Sequence, residues 1–101
     1  MNQPVFLMVE ATPNPNETDA LTSYLSQAPA ITKQHGGVPV ATYDVQSVMD
    51  DNEKAAVFAV ISFPTRAAIT ALFDDPAYVA LLPERDRGFS HLRYYVVNER
   101  L

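Results

Sequence analysis

Hydrophobic and polar positions along the chain follow two patterns, one typical of strands and one typical of helices. Short apolar runs at residues 5–9, 38–45, 55–63 and 90–98 predict four strands, and residues 10–12 extend the first of them. Pro39 indicates that the second strand lies at a sheet edge, because proline cannot donate a hydrogen bond to a ladder. Between strands, apolar residues recur every three or four positions, which predicts helices.

The first predicted helix is marked at both ends. Asn14 suits the N-cap, Pro15 suits the first helical position, and Glu17 stands where its side chain completes a capping box. Gly36 and its neighbour at 37 end the helix, since glycine accepts left-handed geometry. Pro29 is expected to kink it. One amphipathic stripe consists of Leu21, Tyr24, Leu25, Ala28, Ile31 and His35.

The second predicted helix follows Pro64, with Thr65 as its N-cap. Asp75 and Pro76 repeat the signal of a cap followed by proline, which predicts a short helical turn through Leu82. The polar stretch at 50–54 is predicted to be a turn, and residues 83–88 precede the fourth strand. The inner face of the second helix consists of Ala68, Ile69, Leu72 and Phe73.

The order βαββαβ predicts an α+β fold, a ferredoxin-like sandwich with a four-stranded antiparallel sheet and both helices on one face. Residues 1–101 then form one domain. The first and third strands are central in this fold, and here they are apolar on both faces, unlike a half-exposed antiparallel sheet. Because helices cover one face only, we expect a second copy to cover the other, giving a dimeric α/β barrel. The alternative is that alanine-rich strands tolerate exposure.

Composition narrows the function classes. The net charge of −5 disfavours nucleic-acid binding, although the arginines concentrate in the second half of the chain. The lack of cysteine excludes disulfides and thiolate chemistry and fits a reducing compartment. The longest apolar run is too short to cross a membrane, and the N-terminus lacks signal-peptide features. A cytoplasmic protein without membrane or nucleic-acid partners is therefore expected.

A series of short motifs runs along the chain. The second half contains Phe63-Pro64-Thr65, the segment 68–73, Asp75-Pro76-Ala77-Tyr78 and the segment 81–85, and the first half contains Asn14-Pro15, Tyr24, Pro29 and Gly36-Gly37. With these motifs the chain resembles, over nearly its whole length, the family called domain of unknown function 1330. That family is similar in fold to dimeric α/β-barrel proteins, among them small antibiotic-biosynthesis-type monooxygenases, so the resemblance implies the dimer predicted above.

Two positions depart from the family pattern. Relatives tend to have an arginine and further glycines after the double glycine, where this chain has residues 38–43, and a glutamate where it has Ser62. If those polar groups support an activity in relatives, this protein lacks it or performs another.

The fourth strand contains the first candidate site. With a period of two, His91, Arg93 and Tyr95 share the face opposite Leu92 and Tyr94, so they point toward the barrel side or its rim. Histidine suits a general base, arginine holds a carboxylate or enolate, and tyrosine donates a proton. The alternative reading is that these residues form intersubunit hydrogen bonds or lie at an exposed edge.

Tyr24, Tyr78 and Arg85 form a second candidate set, because the resemblance implies a pocket between helices and sheet. Packing is the alternative for Tyr78, and Arg85 requires a polar partner in an otherwise apolar stretch. His35 is expected to serve the helix C-terminus, with ligand binding or catalysis as the alternative. No metal site or cofactor is predicted, since no carboxylate stands at ligand spacing from either histidine.

Two functions remain open. In the first, the protein is a cofactor-independent enzyme, of monooxygenase or lyase/isomerase type, or a binder of a small, partly apolar molecule. His91, Arg85 and Tyr24 are then the catalytic candidates, and Tyr78, Arg93, Tyr95 and His35 bind the ligand. In the second, it is a non-catalytic dimeric stress-related or regulatory module whose interior is filled by its own side chains.

Overall fold

The predicted order of strands and helices is confirmed in the computed structural model, which describes residues 3–50 and 55–100. Two short helices follow the second long one, of which the first is the predicted helical turn after Asp75 and the second was not predicted. The elements in chain order are β1 (Val5–Pro13), α1 (Thr18–Gln34), β2 (Val38–Asp44), β3 (Val57–Phe63), α2 (Arg66–Asp74), α3 (Pro76–Val79), α4 (Leu82–Gly88) and β4 (Phe89–Val97).

The four strands form one antiparallel sheet in the order β2-β3-β1-β4, so β1 and β3 are central as predicted. Leu7 of β1 pairs with Ile61 on one side and Val96 on the other, whereas Met8 pairs with Val60 and Tyr95. This register separates the side chains into a helix-covered face and a face that none of the eight described elements covers. The arrangement is the ferredoxin-like fold, and the sheet does not close on itself.

The core lies between the helices and the covered face. Leu7 and Phe63 from the sheet are 2% and 1% exposed, and Ile69 and Leu72 from α2 are equally buried. We call the other side the open face. The side chains on the open face are half-buried or exposed. The molecule is thin, since its Cα atoms extend 16 Å in the shortest direction. The open-face apolar side chains of the two central strands are Phe6, Met8, Phe58 and Val60.

Three helix ends are confirmed. Thr65 accepts a hydrogen bond from the amide of Ala68 at 3.1 Å, and Asp75 accepts one from the amide of Ala77 at 2.9 Å. At the end of α1, Gly36 adopts a φ of 83°. Left-handed geometry of this kind favours glycine, and it lets the following amide bond back to Thr32 at 3.0 Å.

The predicted start of the first helix is wrong. α1 begins at Thr18, and Glu17 occupies the N-cap without a side-chain hydrogen bond. The Asn14 side chain instead accepts from the amide of Asn16 at 3.0 Å, and its carbonyl accepts from Glu17 at 3.1 Å. Asparagine thus closes a local turn before the helix, the competing use of the same side chain. The helix runs through Pro29 to Gln34.

The segment 83–88, for which the sequence predicts no regular element, belongs to α4. The helix packs so closely on α1 that a Cβ on Gly88 would lie 2.9 Å from the Cα of Leu21. Tertiary packing therefore makes a helix from this polar segment. Of the predicted turn at 50–54, only Asp50 belongs to the described residues, and there it is confirmed.

Candidate functional site

A cluster of polar side chains lies on the open face where β1 and β4 pair. Glu10 stands directly opposite Arg93, and Tyr95 and His91 lie opposite the flanking β1 residues of the same face. His91 Nε2 is 2.5 Å from Glu10 Oε2, and the Tyr95 hydroxyl donates to Glu10 Oε1 at 3.3 Å. Arg93 Nη1 donates to the Tyr95 hydroxyl at 3.4 Å. The predicted face of His91, Arg93 and Tyr95 is thus confirmed, and Glu10 joins them.

Glu10 is held in its ionised form. The hydrogen bond from His91 lowers the pKa of the Glu10 carboxyl most strongly; partial burial opposes this, and Tyr95 and the charges of His91 and Arg93 support it. A carboxylate with a lowered pKa is a weak base, so Glu10 is suited to bind and orient neighbouring groups rather than to remove a proton. Its closest partner is the imidazole of His91.

A cleft of about 440 Å³ adjoins this cluster. Its floor includes Glu10, Phe58 and Arg93, three open-face residues in one row across three strands. The other lining residues come from the connection between β2 and β3 and combine apolar with polar groups, namely Val45, Ser47, Val48, Asp50 and Ala55. The volume lies within the range of small-molecule sites.

A second cluster lies under the helices, on the covered side of the sheet. The hydroxyl of Tyr78 is 2.8 Å from that of Tyr24 and 3.1 Å from that of Tyr94, and Arg85 Nη1 donates to it at 3.2 Å. Tyr24 and Tyr94 are 3.4 Å apart. Arg85 also lies over the rings of Tyr78 and Tyr94, 5.8 and 5.7 Å from their centroids. We call these four residues the tyrosine cluster.

The tyrosine cluster is internally satisfied. Burial raises the pKa of the Tyr24 hydroxyl and of the Tyr94 hydroxyl, and Tyr78 adds to the effect at both, so both remain neutral donors. Phe73 packs edge-on against Tyr78 and Tyr94, and Phe89 packs edge-on against Tyr24. These rings fill the space around the hydroxyl groups. The arrangement has the features of a packed polar network rather than of an empty pocket.

His35 lies apart from both clusters. Its Nε2 is 2.7 Å from Asp75 Oδ2, and the other oxygen of Asp75 caps α3. The pair therefore links the end of α1 to the start of α3. The His35 hydrogen bond and the backbone bond from Ala77 lower the pKa of Asp75. The His35 side chain thus bonds Asp75 at the start of α3, and the predicted service of its charge to the C-terminus of α1 stays a prediction.

The structure brings Tyr24, Tyr78 and Arg85 together as predicted, but His91 is on the opposite face of the sheet. A single site containing His91, Arg85 and Tyr24 is therefore wrong, because the sheet separates them. Sequence reasoning missed two members. From the sequence, Tyr94 belongs to the apolar face of the fourth strand and Glu10 only extends the first strand. Glu10 lies two residues beyond Met8 and therefore on the same face, and this spacing could have identified it.

In the described parts of the chain, no group of three or more histidine, aspartate or glutamate side chains is placed to hold a metal ion. No helix within residues 3–50 and 55–100 is long and apolar enough to cross a membrane.

Fold and site together define a ferredoxin-like α+β protein with a polar cluster and a cleft on its uncovered sheet face. A family model described as domain of unknown function (DUF1330) matches residues 5–99, and the chain belongs to this family. The resemblance noted from the sequence is thereby confirmed. No curated protein matches the chain.

Several solved structures share the fold at low identity. A protein of unknown function from Rhodopseudomonas palustris is 14% identical with a TM-score of 0.80, covering 100% of this chain and 85% of its own. A dimeric ferredoxin-like protein of unknown function from Jannaschia sp. CCS1 is 10% identical with a TM-score of 0.72, covering 95% and 99%. A Nitrosomonas europaea protein provisionally described as an antibiotic biosynthesis monooxygenase is 14% identical with a TM-score of 0.66, covering 98% and 92%.

Proposed function

We propose that the protein is a homodimer that binds a small, partly apolar carboxylate in the open-face cleft. The observation that carries the proposal is the row formed by Phe58, Glu10 and Arg93, which places an aromatic ring, a fixed carboxylate and a guanidinium on the floor of one cleft. A dimer formed through the open face would be the α/β barrel expected from the sequence.

The open face supports the dimer. Phe6, Met8 and Val60 lie on the two central strands, on the sheet face away from the described helices. Tyr43 on the edge strand is 59% exposed. Apolar side chains gathered on one sheet face are stabilised when water is removed, by about 25 cal/mol for each Å² of apolar surface covered. The solved dimeric relative shows that this fold is compatible with dimer formation.

The ligand class follows from the lining. Both oxygens of Glu10 already have partners, His91 and Tyr95, so Glu10 supports the floor rather than offering a vacant acceptor. Arg93 donates to Tyr95 and has a further interaction, and its planar guanidinium has the geometry that recognises a carboxylate. Phe58 and the valines of the β2–β3 connection contact the apolar part. The net charge of −5 supports the expectation that nucleic acid is not a ligand.

Binding of 2-naphthoate, measured by isothermal titration calorimetry, tests the cleft. Arg93→Gln is expected to weaken binding at least tenfold, because the charge-assisted bidentate contact is lost. Arg66→Gln removes the same charge from the exposed start of α2 and serves as the matched control. Equal binding by wild type and Arg93→Gln, or tighter binding of 1-naphthylmethylammonium than of 2-naphthoate, would contradict the assigned ligand class.

A second candidate function is a cofactor-independent enzyme of lyase/isomerase or monooxygenase type, favoured by the close contact between His91 and Glu10. An imidazole oriented by a carboxylate is the arrangement of a general base that removes a proton from an activated C–H bond. Exchange of such protons for deuterium in β-keto carboxylates, followed by NMR, tests it. His91→Gln should abolish the exchange and His35→Gln should retain it; exchange that is equal in both variants would contradict a base role for His91.

The tyrosine cluster supports a non-catalytic, structural role for the helix-covered side of the sheet. Because Tyr24, Tyr78 and Arg85 bond one another, we assign them to holding α1, α3 and α4 on the sheet. The chain then functions through its open face alone. The absence of cysteine supports a reducing, cytoplasmic setting.

A further inference from the structure

We propose that a second copy of the chain completes the cleft, so that one bound carboxylate contacts both subunits and ligand binding and dimerisation strengthen each other. This inference rests on the proposed function and adds a regulatory property to it. The open face and the binding site are then parts of one surface.

The first step is the position of the cleft floor. Tyr43, Phe58, Glu10 and Arg93 form a single row across all four strands, because each residue pairs with the next in register. Three of these four residues line the cleft. The floor of the cleft is therefore a strip of the open face itself, and whatever covers that face also lies above the ligand.

The second step concerns the walls. The described wall residues come from the single connection between β2 and β3, including Val45, Val48 and Ala55. Within the described residues, the cleft of one chain thus has a floor and one wall. Sheets that pack face to face lie about 10 Å apart, so a ligand on the floor is within contact distance of the opposite sheet. A flat aromatic ligand would be enclosed between the two sheets.

The third step identifies the cover as a second copy. Four strands about 4.8 Å apart and about 25 Å long form a sheet face with a flat area of roughly 500 Å². Because side chains project from this face, its accessible area is larger and approaches the area of about 800 Å² that each partner buries in a standard interface. Apolar open-face residues continue beyond the cleft floor, among them Met8, Val60 and Val97. In the row, Glu10 and Arg93 offset each other's charge, which limits repulsion between identical faces.

Thermodynamic linkage gives the measurable consequence. If the closed cleft exists only in the dimer, the ligand lowers the dimer dissociation constant, and dimerisation tightens ligand binding. The effect is expected to be at least tenfold at saturating 2-naphthoate. A cleft complete in one chain gives no such coupling, since the ligand then has equal affinity for monomer and dimer.

Sedimentation equilibrium of the full chain, with and without saturating 2-naphthoate, measures the coupling directly. Val60→Asp places a charge on the open face outside the cleft lining and is expected to give monomers that bind the probe at least tenfold more weakly. Leu25→Asp is the matched control, because Leu25 is 51% exposed on α1 and lies on the other side of the molecule. Circular dichroism verifies that both variants are folded, and dilution of wild type gives the same comparison without a substitution.

The outcomes separate this inference from the proposed function. Unchanged dimerisation with the probe, together with undiminished binding by folded Val60→Asp, would overturn the shared site and leave a single-chain cleft in place. Failure of the wild-type dimer to bind 2-naphthoate would contradict the proposed function and this inference with it. A monomeric wild type at all concentrations would refute the second copy as the cover.

Discussion

The Tyr78 hydroxyl offers a sharp test of the structural assignment of the tyrosine cluster. Tyr78 is 2% exposed, and its oxygen has three partners within 3.2 Å, namely Tyr24, Tyr94 and Arg85. In Tyr78→Phe, the Tyr24 hydroxyl keeps only the longer 3.4 Å contact to Tyr94. Arg85 turns to solvent, since its side chain is 19% exposed.

The expected cost follows from these contacts. A lost neutral hydrogen bond costs about 0.5–1.5 kcal/mol, and a buried hydroxyl with a weakened partner adds to this, so we expect a total of about 2 kcal/mol. For a domain of this size, each kcal/mol corresponds to about 4–8 °C in Tm. Tyr43→Phe removes a hydroxyl from a residue that is 59% exposed, and its effect should be below about 0.5 kcal/mol.

Urea unfolding followed by circular dichroism, at one fixed protein concentration, measures both variants. Binding of 2-naphthoate by folded Tyr78→Phe should stay within threefold of wild type, because the cleft lies on the other face of the sheet. Equal stability of Tyr78→Phe and Tyr43→Phe would refute the network assignment. If Tyr78→Phe lost 2-naphthoate binding but kept the stability of the wild type, the binding site would lie on the helix side of the sheet instead.

Three further predictions concern helix ends. Asp75→Asn keeps the oxygen that caps α3 but loses the carboxylate charge beside His35. Because the pKa of Asp75 is lowered in the folded protein, the wild type should be more stable than the variant above about pH 4 and should lose that advantage as the pH falls below this value. Urea unfolding between pH 3 and pH 6 measures the difference, and a gap independent of pH would count against it. Gly36→Ala should cost about 1–2 kcal/mol in calorimetry, because φ is 83° and the new Cβ meets Pro64 Cδ at 3.0 Å; an unchanged Tm would contradict this. Thr65→Ala should cost about 1 kcal/mol while Thr65→Ser retains stability, and equal unfolding midpoints for both would show that the cap is dispensable.

Local signals predicted the fold well where the responsible atoms are close in sequence. Thr65 and Asp75 bond amides two or three residues away, so their capping roles depend on little else. The same reliance on local signals gave a wrong N-cap at Asn14, because its side chain can either cap a helix or close a turn at similar energy. The order βαββαβ indicated that β1 and β3 are central, and the strand order β2-β3-β1-β4 confirms it.

The candidate site was less predictable because it depends on strand register. Glu10 and His91 are separated by 81 positions, and only the pairing of β1 with β4 brings them together. Tyr94 joins Tyr24 and Tyr78 through packing between helices and sheet, which periodicity alone does not specify. Period-two reasoning assigned the correct face to each residue, whereas their partners required the three-dimensional pairing.

The pairing of β1 with β4 also bears on how the chain folds and how it could be rewired. Phe6 pairs with Val97, so the ladder between β1 and the edge strand β4 joins the first and last strands and cannot form until almost the whole sheet-forming sequence is present. Such non-local pairing slows folding, because loop closure precedes the contacts that reward it. It also places the start of β1 beside the end of β4, where a short linker could join the two strands and new ends could open in the β2–β3 connection. In such a circular permutant β1 and β4 would become a hairpin, and their ladder would change from a contact between distant parts of the sequence to a local one.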